Sequence, residues 1–314
     1  MRTWLTEKFD LSVPVVGAPM AGPGEGRLAA AVSEAGGLGM VGVNASRPAA
    51  WVVEQAAVAG AAGHPFGIGL MAWGLESNPE QLDASIAAGP ALVSVSFGDF
   101  EPHVARLRDA GVAVTTQVGN LNEARRAEAA GVDFVVARGA EGGGHGRNEV
   151  ATLPLLQVVV DHVDLPVVAA GGIAGAPGLA AVLAAGAVGA WVGTAFLACP
   201  EAGSSAAARR ALLTATETGT SYGRVFDVAQ HLAWPPEYGG RGLRNAYFDI
   251  WANRLDELAQ DQAAAQELRT ARAEEDFDTA YIYAGQGVGQ LTREQSAADV
   301  LAGFAGAEEL LKRF

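Results

Sequence analysis

His145 stands in the run Glu141-Gly142-Gly143-Gly144-His145-Gly146, one imidazole set among glycines. Imidazole is the side chain best poised for general-base work near neutral pH, and a loop this rich in glycine is flexible enough to lay it over a ligand. The plainer reading is an exposed loop histidine, and His64, His103, His162 and His231 are left at that reading. A second group of candidates is made of main chain. Gly171-Gly172 and Gly193-Thr194 each close an apolar run and lead toward a helical segment, the first of them opened by Pro177. Backbone N–H groups at helix starts bind anions, and glycine lets the backbone approach closely. Either pair alone would suit a tight turn. Two such pairs at consecutive strand ends point to a phosphate held without lysine.

The missing residue types narrow the chemistry further. The only lysines are Lys8 and Lys312, and neither falls at a strand end, which excludes a Schiff-base aldolase. Asp99 and Glu141 are the only carboxylates expected near the rim. That is too few to converge on a divalent metal, or to form the carboxylate pair of a glycosidase. No metal site is expected. A mouth of Gly, Ala, Ser, Thr, Gln and Met has little reactivity of its own and room for a flat ligand, so a cofactor must bring the reactivity. Cys199 lies in an apolar run and reads as a buried thiol. Gly285-Gln286-Gly287-Val288-Gly289 is a weak nucleotide-loop signal.

The elements that must position these residues follow a repeat. Eight short runs bounded by Gly or Pro read as strands: Val13–Ala18, Gly37–Gly42, Phe66–Met71, Ala91–Phe97, Val112–Gln117, Asp133–Ala137, Pro166–Ala170 and Val188–Gly193. Ala-rich segments of helical spacing lie between them, and several stop at a glycine, namely Gly36, Gly111, Gly131 and Gly186. The succession of strand, helix, glycine and strand predicts an α/β fold, a (β/α)8 TIM barrel. Its chemistry then belongs at the C-terminal strand ends, and its usual phosphate site lies after strands seven and eight. A doubly wound sheet is the rival, but the turn after the first strand lacks its glycine spacing. Past residue 200 the pattern changes. Ser204–Thr216 and Ala246–Ala273 read as helices, with a polar, aromatic- and glycine-rich loop over Thr218–Arg244 between them. We therefore expect a barrel over 1–200 and a helical C-terminal appendage over 201–314, packed on the barrel with an acidic solvated face.

Composition sets the outer limits. The chain has 314 residues, is half hydrophobic and carries a net charge of -14, so it is neither disordered nor suited to nucleic acid. One cysteine excludes a disulfide scaffold and fits a reducing compartment; with no export signal at the N-terminus, the expected location is cytoplasmic. Leu165–Pro200 holds no charge and is long enough to span a bilayer. Pro166, Pro177 and the scattered glycines argue instead for strand, helix and strand, and no membrane partner is expected.

Taken in order, several pieces make the chain similar to the nitronate monooxygenases, FMN-dependent barrels. They are Ala18-Pro19-Met20-Ala21-Gly22, Gly36-Gly37-Leu38-Gly39, Val95-Ser96-Phe97-Gly98, Glu141-x-Gly-Gly-His145-Gly146 and Ala169-Ala170-Gly171-Gly172-Ile173. Beyond these come Gly189-Ala190-x-x-Gly193-Thr194-Ala195-Phe196, Gly242-Leu243-Arg244-Asn245 and Ala284-Gly-Gln-Gly-Val-Gly289. The resemblance implies FMN, with its phosphate on Gly171, Gly172, Gly193 and Thr194. It implies the flavin ring against the Pro19–Ala21 backbone, with Gln117 at the ring edge and Ala18, Met20, Gly69, Gly139 and Gly144 completing the cofactor site. It implies His145 as the base, small-molecule substrates (an alkyl nitronate or nitroalkane, with O2), and a carbonyl compound and nitrite as products. The chain departs from the family pattern where it reads Gly67-Ile68-Gly69-Leu70, since the family usually carries Asn after strand three, and at Arg138 and Gly142, where Gln and Ala are common. An arginine near the flavin is expected to pair with an anionic substrate or a second phosphate. The alternative on the same scaffold is an FMN reductase taking hydride from NAD(P)H to a quinone or an enoyl thioester. A flavin-free phosphosugar isomerase or lyase, and a flavin-binding protein without catalysis, complete the readings.

Overall fold

A computed structural model describes residues 1–313. All eight apolar runs form strands, each within a residue or two of its expected ends: β1 Val15–Gly17, β2 Gly39–Gly42, β3 Phe66–Met71, β4 Leu92–Ser96, β5 Ala113–Val118 and β6 Phe134–Arg138. After a short extra strand, β7 Gly144–His145, come β8 Val167–Ala170 and β9 Gly189–Val192. The barrel strands are parallel in the order β1-β9-β8-β6-β5-β4-β3-β2. A parallel bridge between Val16 and Leu38 joins the two ends, with the Leu38 N–H donating to the Val15 carbonyl at 3.0 Å and the Gly17 N–H to the Leu38 carbonyl at 2.9 Å. The chain is a TIM barrel.

Both faces of the strands are buried, which is why the sequence reads as unbroken apolar runs. Val16, Met40, Leu92, Phe134, Val136, Val168 and Trp191 point one way and fill the barrel. Val15, Val41, Ile68, Val93, Val114, Val135 and Val167 alternate with them and pack against Leu28, Val52, Leu107, Leu155 and Leu179 of the surrounding helices. The helices stop as expected: Gly36, Gly111, Gly131 and Gly186 all have positive φ. The uncharged stretch 165–200 is β8, the helix Ala176–Ala184 and β9, and no helix among the described residues is long and apolar enough to cross a membrane.

Two features were not foreseen. A short helix, Trp4–Phe9, opens the chain; the Thr3 hydroxyl caps its first turn, and it plugs the N-terminal end of the barrel with Leu5 and Phe9 against Phe134. The second lies after residue 200. The single helix expected over Ala246–Ala273 is three helices, Ala246–Trp251, Leu255–Leu258 and Gln262–Glu274, the last capped by the Asp261 carboxylate on the Ala263 and Ala264 N–H groups. The loop expected over Thr218–Arg244 contains β10 Thr220–Gly223, the helix Val225–Ala229 and β11 Gly240–Leu243. β11 pairs antiparallel with both β10 and β7, so this part of the chain is stitched to the barrel mouth. The last two helices, Ala297–Ala305 and Ala307–Leu311, return to the barrel. Leu301, Phe304 and Ala307 share the core of the helix layer, against the helices Gly26–Glu34 and Ala176–Ala184, where an eighth barrel helix belongs.

Candidate active site

The glycine wall of the mouth comes directly from the strand ends. After β8, Gly171 and Gly172 take φ of +110° and +71°, a region that suits glycine. Gly172 is exposed at the rim, and the nearest atom to a Cβ built on it is the Glu141 Cβ at 3.5 Å. The helix Ala176–Ala184 then starts behind Gly175, which has no side chain to cap it, so no side chain satisfies its first N–H groups. After β9, Gly193 lies 3.3 Å from the Met20 sulfur, measured from a built Cβ, which joins this wall to the Ala18–Ala21 turn. The Ala18 N–H donates to the Val192 carbonyl at 2.8 Å and fixes that turn. Ala18, Pro19 and Met20 are half-buried, Ala21 is exposed, and Gln117 in β5 is half-buried.

Two glycines expected at the site sit beneath it. Gly69 is buried in β3, and a Cβ there would fall 2.3 Å from the Pro19 ring. Its service is to let Pro19 seat. Gly139 is buried against Thr152, again at 2.3 Å from a built Cβ. Gly144 is the opposite case: its φ is +68° and no atom comes within 4 Å of the Cβ position. The tail segment read as a weak nucleotide loop also reaches this wall. The Gly285 N–H donates to the Thr194 hydroxyl at 2.9 Å, the Gln286 N–H donates to the Glu141 carbonyl at 3.0 Å, and Gly287 packs beside Gly172. Glu141 is held from the other side, since its carboxylate accepts the Thr152 N–H at 2.7 Å.

The wall around His145 differs from expectation. The imidazole is not carried on a flexible loop: His145 lies in β7, paired with Gly240 of β11, and its side chain is only 9% exposed. Beneath β7, Arg138 donates to the carbonyls of Gly142, Gly143, Gly144 and Arg147 at 2.7 to 3.2 Å. Arg138 is buried, and burial pulls its guanidinium down to about 10. It braces the loop, and its donors go to main-chain oxygens rather than to an anionic ligand.

The partners of His145 come from the tail. Its Nε2 lies 2.9 Å from the Asp227 Oδ1, and Trp234 stacks on the imidazole with centroids 3.7 Å apart and planes 2° from parallel. The Tyr283 ring tilts beside it at 5.0 Å, and the Tyr283 hydroxyl donates to the same Asp227 oxygen at 3.4 Å. Burial, and then Asp227, push the Tyr283 phenol well above its ordinary range, so it stays a donor. Aromatic contacts continue from Trp234 to Trp73 at 5.3 Å and to Phe97 at 5.2 Å. Phe97 holds a positive φ of 68°, backbone strain of the kind found at functional sites. The Trp73 indole N–H is buried with no partner among the described residues. Tyr238 closes the segment: its hydroxyl donates to Glu123 at 3.1 Å, and Glu123 also takes the Arg147 Nε at 2.6 Å.

Asp227, Trp234 and Tyr283 were not among the expected site residues. For Trp234 the signal was the density of aromatic residues in the 218–244 segment; nothing local in sequence tied Asp227 or Tyr283 to His145. The arrangement offers an imidazole with one nitrogen engaged and one available, and opposite it a wall of turns whose N–H groups suit a phosphate. An open depression of about 780 Å3 lies at the other, N-terminal end of the strands, between Lys8, His64, Arg108 and Asp133. It contains none of these groups and sits on the face that serves stability in such barrels.

The family model for nitronate monooxygenase matches residues 2–85 and 74–305. The chain belongs to the nitronate monooxygenase family. A nitronate monooxygenase of Paraburkholderia phytofirmans is 32% identical, over 94% of this chain and 92% of the relative. Among solved structures, FabK from Thermotoga maritima superposes with a TM-score of 0.87 at 26% identity, covering 100% of this chain and 98% of that one. The nitroalkane oxidase of Streptomyces ansochromogenes superposes with a TM-score of 0.81 at 31% identity, covering 98% and 99%. The family makes this chain an oxidoreductase of the flavin-dependent type.

Proposed function

We propose that the protein is an FMN-dependent nitronate monooxygenase, which oxidises alkyl nitronates, or nitroalkanes it first deprotonates, with O2 to carbonyl compounds and nitrite. The observation that carries this reading is His145, anchored through Nε2 to Asp227 across the mouth from a wall of glycine turns. The residues fit the cofactor. The turns at Gly171, Gly172, Gly193 and Thr194, with the uncapped start of the helix Ala176–Ala184, suit its phosphate. The half-buried Ala18–Met20 turn, Ala21, Gln117 and the open face of Gly144 suit its ring system. Bound there, FMN would supply the electron acceptor and the reactivity toward O2 that the side chains lack.

The chain's own part is to bind and deprotonate. His145 takes the proton from the carbon bearing the nitro group, and the aromatic side chains of Trp234, Tyr283 and Phe97 keep bulk water from the nascent anion. A single buried thiol, Cys199, suits a cytoplasmic setting.

The second reading kept beside it is an FMN reductase on the same scaffold, taking hydride from NAD(P)H to a quinone or an enoyl thioester; the fold is shared with FabK at a TM-score of 0.87. One experiment separates the two. The purified protein is mixed anaerobically with NADH or NADPH, and aerobically with ethyl nitronate. Nitrite release with no bleaching of the flavin by either nicotinamide supports the monooxygenase; rapid bleaching with no nitrite overturns it.

A further inference from the structure

Asp227 is a carboxylate in an apolar place. It sits on the helix Val225–Ala229, whose Val225, Phe226 and Ala229 pack with Tyr247, Phe248 and Trp251, and its side chain is 1% exposed. Its Oδ1 meets the His145 Nε2 at 2.9 Å and the Tyr283 hydroxyl at 3.4 Å, while its Oδ2 is buried with no partner among the described residues. A buried carboxylate with one oxygen unpaired is costly unless a strong donor or a cation faces it. The imidazole is that donor, and it becomes a cation when its second nitrogen takes a proton. Nδ1 makes no hydrogen bond among the described residues, and the parallel stack of Trp234 resists rotation of the ring.

We propose, on the reading that His145 is the base, that Asp227 is its positioning residue: the carboxylate holds the Nε2–H tautomer and leaves Nδ1 as the proton acceptor. The step balances within the site. The C–H bond next to the nitro group breaks, and its electron pair forms the C=N bond of the nitronate as charge moves onto the nitro oxygens. The proton joins Nδ1, and the imidazolium keeps its Nε2–H on Asp227, where the buried negative charge stabilises it. No oxidant is needed for this step. A merely structural Asp227, pinning the tail to β7, would give the same tautomer but would lower turnover of both substrates alike.

The test uses the holoenzyme labelled with 15N-histidine, and the isosteric variant Asp227→Asn. At pH 9 the parent is expected to give the Nε2–H signature for His145, and the variant to lose it in part or whole. In turnover, Asp227→Asn is expected to lower kcat on neutral nitroethane about 100-fold while changing the rate on preformed ethyl nitronate less than about threefold. An Nδ1–H tautomer in the parent, or equal losses on both substrates, overturns the role of Asp227. If the variant does not fold, an Nε2–H signal in the parent still supports the proposal and an Nδ1–H signal still overturns it. A parent that turns over neither substrate overturns the monooxygenase reading, and an Nδ1–H signal would separately overturn the role of Asp227.

Discussion

On one side of the mouth, after β8 and β9, the wall is main chain, and its residues are neighbours in sequence: Gly171 with Gly172, Gly193 with Thr194. On the other side the wall is side chains, and the partner of His145 lies 82 residues downstream. A backbone cradle needs only a strand end and a turn, so it is written locally. A general base needs a partner to orient it and a surface to hold its ring, and those arrive through tertiary structure. Here they come on the segments around β10 and β11, of which β11 pairs with the strand that carries the histidine. The turns of the cradle are made by the strand ends, with Gly285 and Gly287 of the tail packed on them, whereas every side chain that holds the base comes from the tail.

On the cofactor side, the variant that separates the two walls is Gly172→Asp. A carboxylate at the rim opposes a phosphate, and the φ of +71° strains any side chain. At partly exposed sites such repulsion weakens binding by about tenfold or more, so the variant should purify largely without FMN. Flavin absorbance relative to protein checks this, and full retention would remove the phosphate from this wall. His145→Ala should do the reverse: keep FMN and lose activity on neutral nitroalkanes by roughly 100-fold to 10,000-fold, with a smaller loss on preformed nitronates. Nitrite assays with both substrates check it, and equal activity of variant and parent on nitroethane would contradict the base.

Trp234→Ala sharpens the contrast further. It removes the ring stacked on His145 and should lower stability by roughly 3 kcal/mol, with FMN content unchanged. Thermal unfolding, followed separately by flavin and tryptophan fluorescence, reads both. The smallest effect is on Cys199, which is buried in the core shared with the helix layer just after the turn that follows β9. Burial pushes its thiol up to about 12, so its thiolate fraction is negligible at pH 8. A thiol reagent should label it slowly in the folded enzyme and fully after denaturation; rapid labelling of the folded enzyme would mean that this wall opens.

The barrel was legible because parallel strands buried on both faces leave unbroken apolar runs, and the stops at Gly36, Gly111, Gly131 and Gly186 mark each return. Gly69 and Arg138 show where reading by position stops. Arg138 ends β6 and Gly69 lies two residues before the end of β3, yet Gly69 makes room for Pro19, and Arg138 ties down the carbonyls of Gly142, Gly143 and Gly144. Nothing in the residue type distinguishes lining a site from supporting it. The plug Trp4–Phe9 was missed because its apolar residues acquire a burial pattern only against the barrel, and β10 and β11 because Thr220-Ser221-Tyr222-Gly223 and Gly240-Arg241-Gly242-Leu243 carry no apolar run to mark a strand. The helix expected over Ala246–Ala273 broke because Asp261 caps a new start more favourably than it continues an old one.

The visible absorption spectrum of the purified protein, recorded before and after one equivalent of ethyl nitronate without oxygen, tests the central claim most directly. A glycine cradle and an anchored base working on a flavin predict the two bands of an oxidised flavin and their loss on addition of the nitronate. A colourless protein, or bands that the nitronate leaves untouched, would contradict the account.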